Sequence, residues 1–132
     1  MIDRDTDRHA WATEQAALLR ELQPPGVDWE GIADELHDIA ALELIGIQEG
    51  FIVLRTHHLL RDRDGRSETA AIREARRRTT DDLDDSPSLM ARVDGIITDA
   101  YAIARDRASA EADAPVSEFP EACQYIWADL RG

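Results

Sequence analysis

Apolar residues recur along this chain at helical rather than alternating spacing, and prolines and glycines cut the pattern into segments. Residues 7–21, DRHAWATEQAALLRE, bring Trp11, Gln15, Leu18 and Leu19 onto one face, with Asp5 or Asp7 placed to cap the first amides. Pro24, Pro25 and Gly26 stop that helix. From Asp28 to Arg61 there is no proline, and the helical rhythm holds for about thirty residues. Asp28 is the expected cap here; Gly31 stands where a capping box would need an acid, so the aspartate acts alone. The stripe of this second helix runs Ile32, Leu36, Ile39, Leu42 or Glu43, Gly46 or Ile47, Gly50, Leu54, then His57 or His58. Unbroken, it would reach about 50 Å, twice the width of a small domain. Gly46 and Gly50 allow either close approach of a neighbouring helix with a modest bend, or a break into two helices.

After the polar turn Asp62–Arg66, Ser67 is the expected cap of a third helix from Glu68 to about Leu83. Its thin apolar face is Ala71, Ile72, Ala75, Thr79 and Leu83, and the acids that follow oppose the helix dipole and predict early fraying. Ser86-Pro87 reads as a capping serine with proline at the first helical position, opening a fourth helix that runs to about Ala110. Residues 111–118 form an acidic, alanine-rich loop around Pro115, and Phe119-Pro120 opens a short last helix with Cys123, Ile126 or Trp127, and Leu130 on one edge. The pattern predicts an all-α, up-and-down-like bundle of four main helices with a short C-terminal helix.

Size and composition narrow the picture. A chain of 132 residues is expected to form one domain and to bury about two thirds of the surface its unfolded form exposes. Only seven residues are aromatic, so Ala, Leu and Ile must build the core, which suits close helix packing. One cysteine, Cys123, leaves no internal disulfide, and no Cys/His cluster has zinc spacing. The absence of a leader or a long apolar run makes a cytoplasmic location the expectation, away from membranes. The net charge of -13 argues against nucleic acid as the main partner. Bases concentrate in residues 61–80, where seven arginines face four acids. Arg73, Arg76 and Arg77 there, with Arg20 at the end of the first helix, are the expected partners for carboxylates on the fold or on a binding protein. All fifteen basic residues are arginine.

Several stretches together resemble the bacterial DUF29 family of helical proteins. They are AWATEQAALLRE at 10–21, DWEGIADELHDI at 28–39 with Glu43, His58-Leu59-Leu60, Ile72-Arg73 with Arg76–Arg78, Ser86-Pro87-Ser88-Leu89, AYAIA at 100–104 and FPEACQY at 119–125. Nearly the whole chain is covered, in the family's order. The resemblance implies an α-helical fold and carries no activity, substrate or ligand. Relatives often place Lys-Trp after His-Leu-Leu and a tryptophan after the next helix-opening serine; here those places hold Arg61-Asp62 and Glu68. If those aromatics line a pocket or partner groove in relatives, the resemblance implies a more open one here.

Glu35, Glu43 and His58 are the candidate chemical groups, because ionisable residues beside an apolar stripe need a partner or a use. Glu35 and Glu43 lie about 12 Å apart along the axis and about 80° around it, too far to hold one ion together. His58 would stand about 35 Å from Glu35 on a straight helix, so only a bend, other helices or a second subunit could unite them. Adjacent histidines point about 100° apart, so at most one of His57 and His58 should face the core. Structural ion pairing is the plainer reading of the glutamates, and packing or capping that of the histidines. Ser86 has work as a cap and no nucleophile elbow precedes it. No metal or cofactor is expected. The leading expectation is a non-enzymatic interaction or regulatory module, with a protein partner or self-association through helix two or helix four. The alternative is a small metal-dependent or acid/base enzyme built on an inter-helix Glu/His cleft.

Overall fold

In the computed structural model, which describes residues 1–123 and 125–131, four long helices and a terminal turn pack as an all-α bundle. They are α1 (Arg8–Leu22), α2 (Trp29–Asp64), α3 (Ala70–Asp85), α4 (Val93–Ala112) and α5 (Trp127–Leu130), with short 3-10 helices at Pro87–Arg92 and Val116–Glu118. Asp7 caps α1 by accepting the Ala10 amide, and Gln23 turns left-handed at its end with φ 43°. Asp28 caps α2 by accepting the Gly31 amide at 3.1 Å, and Gly65 ends the helix in the left-handed conformation, φ 69°. Glycine adopts that conformation without the strain a Cβ would bring.

α2 is continuous for 36 residues, about 54 Å, so the two glycines do not break it. Their work is local. A Cβ on Gly50 would fall 2.0 Å from Thr79 Oγ1, which shows how closely α3 crosses there. Gly46 is open by comparison, with Asp82 Oδ2 at 3.8 Å as its nearest neighbour.

The length of α2 divides the core. Its first half packs against α1 through Ala12, Ala16, Ala33, Leu36 and Ala40, with Trp11 and Leu19 at the margin. Alanines on both faces let the two backbones approach. Its second half is enclosed by α3, α4 and the C-terminal segment around Ile47, Phe51, Leu54, Leu83, Ile97 and Trp127. Leu59, Leu60, Tyr101, Ala108 and Phe119 close the far end. Every residue from Leu54 to Leu60 is buried, whichever way it points. Both His57 and His58 are therefore inside, contrary to the expectation that at most one would face the core.

Several boundaries differ from the sequence expectation, among them the end of α2, which runs on through residues 62–64 where a polar turn was expected. Thr69, not Ser67, caps α3: its hydroxyl accepts the Ile72 amide at 3.3 Å, and the helix starts two residues later than the serine cap required. α3 does not fray at its acids but continues to Asp85, anchored by the buried Leu83, while the Ser86 amide bonds back to Asp82 and Leu83 carbonyls. Ser86 makes no side-chain cap, and Pro87 opens a 3-10 helix, so α4 begins at Val93. The reason is competition: the Asp7 carboxylate reaches across and accepts the Ser88 amide at 2.6 Å and the Ser88 hydroxyl at 3.0 Å. The expected last helix shrinks to four residues, Trp127–Leu130, and the described residues from Phe119 to Ile126 are irregular. Among the described residues no helix is long and apolar enough to cross a membrane.

Candidate functional site

α2 carries ionisable groups at both ends, and the fold treats them differently. Glu35 is exposed on the first half. Glu43 lies where the start of α1 and the end of α3 meet α2; its side chain is 13% exposed and accepts from Arg8 at 3.0 Å. The Ser86 hydroxyl, fully buried, donates weakly to Glu43 at 3.5 Å and accepts the His9 amide at 3.1 Å. His9 Nδ1 in turn donates to the Ala40 carbonyl at 3.0 Å, because a carbonyl only accepts. Glu43 is thus one end of a polar clasp fixing α1 onto α2.

Beside this clasp opens a groove of about 510 Å³. Trp11, Ile39, Leu42 and Gly46 supply its apolar surface, and Arg4, Arg8, Glu43 and Asp82 its charge. Burial raises the Asp82 carboxyl above its usual range, and the charges of Glu43 and Asp85 add to the shift. The hydrogen bond to Glu43 raises Arg8, so that cation is already engaged. The groove continues onto an exposed apolar strip on α2: Ile32 and Ile39 are partly exposed, Leu42 is 66% exposed and Ile45 55%.

The arginines proposed as carboxylate partners are dispersed. Arg20 bonds Asp34 at 2.9 Å on the surface. Arg77 bridges Glu74 and Asp81 along α3. Arg76 holds Glu68 and donates to the Leu130 carbonyl at 2.9 Å, tying α3 to the C-terminal turn. Arg73 is exposed. Arg8, absent from the sequence expectation, is the arginine that engages Glu43.

The second half of α2 holds a different cluster, centred on a residue that the sequence reading passed over. Arg55 has 0% exposure, and its Nε and Nη1 have no hydrogen-bond partner among the described residues. Its guanidinium carbon lies 4.3 Å from the Tyr125 ring centroid and 5.0 Å from that of Tyr101, between two aromatic faces. Tyr101 donates to the Pro120 carbonyl and Tyr125 to the Asp62 carboxylate, so both rings are fixed by their hydroxyls. His58 stacks on Tyr125 with centroids 5.4 Å apart, and its Nδ1 is also buried without a partner among the described residues. Burial, with Arg61, His57 and Arg55 nearby, lowers the His58 pKa to about 4. Burial lowers His57 as well. At Asp62 burial works upward, but hydrogen bonds from Tyr125 and Arg61 and the Arg61 charge prevail and hold its carboxyl below the usual range.

Glu35, Glu43 and His58 do not come together. Glu43 and His58 are about 22 Å apart along a helix that does not break. Among the described residues no three His, Cys, Asp or Glu side chains gather at metal-binding spacing. Arg55 was visible in principle: it is the sole arginine between Arg20 and Arg61 and sits inside the apolar run FIVLRTHHLL. No curated protein sequence matches this chain, and no solved structure does. The model of the domain of unknown function DUF29 matches residues 4–131, all but the outermost positions of the bundle, and the chain belongs to that family.

Proposed function

We propose that this protein is a non-enzymatic interaction module that docks a basic amphipathic helix of a partner protein against the outer face of α2. The observation that carries the reading is the strip Ile32, Ile39, Leu42 and Ile45, exposed beside the groove at Trp11 and Glu43. Large aliphatic side chains on a solvent face contribute little to the fold and suit a partner surface.

Charge selects the occupant. Between Arg20 and Arg55 the chain has eight acids and no lysine or arginine, and Glu35 and Asp38 lie among the apolar positions of the strip. Two copies paired through α2 would set these acids against one another, so the second copy is the weaker occupant. A helix with lysines or arginines flanking a leucine face meets both features. Its cations would also relieve the crowding of Asp82 by Glu43 and Asp85. The strip from Ile32 to Ile45 is about 20 Å long, enough for roughly four turns of a partner helix.

The test is a heteronuclear NMR titration with a synthetic leucine-lysine amphipathic helix and a scrambled peptide of equal composition and charge. The reading expects saturable shifts centred on Ile39, Leu42 and Ile45 with the amphipathic peptide, and at least tenfold weaker binding of the scramble. Equal binding of both peptides overturns it, as does a stable micromolar dimer that masks the same residues.

A further inference from the structure

We propose that the cavity beside Arg55 is a binding site for a small organic carboxylate. The cavity measures about 220 Å³ and is lined by Arg55, Leu59, Asp62, Tyr101, Phe119 and Tyr125, with the partly exposed pair Arg63–Glu118 completing its wall.

A buried arginine normally faces a carboxylate or a set of carbonyls, because an unpaired interior charge is among the most destabilising features a fold can carry. Among the described residues Arg55 has neither at Nε or Nη1. The acids around the cavity are engaged by other groups. Glu118 accepts from Arg63 Nε at 2.9 Å and from Nη2 at 2.5 Å, and Asp62 accepts from Arg61 and Tyr125. Among the described residues that leaves Nε and Nη1 of Arg55 without a carboxylate. The two tyrosine rings stabilise the cation through their faces, but a ring face supplies no lone pair in the guanidinium plane.

The same surroundings set the ligand class. Leu59, Phe119 and the tyrosine rings offer hydrocarbon and aromatic contact, while Asp62 and Glu118 would repel a multiply charged group such as phosphate. A single carboxylate on an apolar or aromatic body matches a guanidinium with two N–H groups unpartnered among the described residues, in an apolar-walled space. The guanidinium has no exposed surface, so the ligand engages it as the Tyr125 ring swings aside. Tyr125 stands in irregular chain before α5, where Asp62, His58 and Arg55 hold its ring, the main core cluster packs against it and its carbonyl accepts from Cys123 Sγ.

Calorimetry and NMR with benzoate, hexanoate, benzamide and inorganic phosphate test the site on the full chain, alongside Arg55→Met. Benzoate or hexanoate is expected to bind saturably with shifts at the Arg55 Nε proton and the Tyr101 and Tyr125 rings. Neutral benzamide and the Arg55→Met variant should each weaken binding at least tenfold, and the unliganded variant should melt no lower than the parent, because methionine leaves no unpaired charge. Absence of any shift with both carboxylates at 10 mM overturns the proposal. So does phosphate binding as tightly as benzoate, or an Arg55→Met variant that binds benzoate unchanged. Should Arg55→Met fail to fold, Arg55→Lys replaces it, with weakened benzoate binding expected and unchanged binding contradicting the site.

Discussion

Asp7 starts two helices at once. Its carboxylate caps α1 through Ala10 and, across the interface, accepts the Ser88 amide and hydroxyl. Replacing a capping aspartate with alanine ordinarily costs about 0.5–2 kcal/mol. With a second helix start released, Asp7→Ala should lose about 2–3 kcal/mol in urea denaturation, and Asp7→Asn, which keeps an acceptor, less than half of that. His58 gives the clearest pH dependence. Its pKa falls from 6.5 to about 4 on folding. Between those values the unfolded chain takes up a proton that the folded chain refuses, so stability is full above pH 6.5 and declines as the pH falls. The complete loss approaches about 3 kcal/mol. His57 shifts in the same direction. Denaturation midpoints recorded between pH 7 and pH 4 should fall less steeply in His58→Gln than in the parent; parallel profiles would contradict the buried neutral imidazole.

The two glycines of α2 have opposite consequences when filled. At Gly50 an added methyl meets Thr79 Oγ1 at 2.0 Å, so α3 must shift or Thr79 change rotamer. Gly50→Ala should therefore destabilise by about 1–3 kcal/mol despite its better helix propensity. Thr79→Ala should recover much of that loss in a double-mutant cycle. Gly46→Ala meets only an ordinary contact with Asp82 at 3.8 Å and should stabilise by up to about 1 kcal/mol. The helical run of α2 and its Asp28 cap were legible because each rests on local chemistry, whereas its continuity through Gly46 and Gly50 depends on the packing of α3 and stayed open in the sequence. The starts of α3 and α4 were not legible, because Thr69 competed with Ser67 nearby and Asp7, eighty-one residues from Ser88, took the amide that a Ser86 cap requires. The same limit hid the clasp: Ser86 reads as a cap in sequence and serves as a bridge between His9 and Glu43 in the fold. Arg55 could have been singled out by its isolation in an apolar run, but its aromatic partners come from α4 and the C-terminal segment, beyond reach of helical spacing.

At the scale of the molecule, α2 is a spine whose two halves have different neighbours. The second half is buried on every face from Leu54 to Leu60 and holds the Arg55 cluster, whereas the first is covered by α1 on one side and leaves an acidic, apolar face to solvent. That asymmetry is the basis for reading the first half as the docking surface. The most direct measurement pairs stability with binding in a single variant, Leu42→Gln/Ile45→Gln, which leaves the charge of the face unchanged. Chemical denaturation should give a midpoint equal to or above that of the parent, while affinity for the leucine-lysine helix falls at least tenfold. An undiminished affinity, or a loss of several kcal/mol in stability, would contradict the account, since those side chains would then be either irrelevant to docking or part of the core.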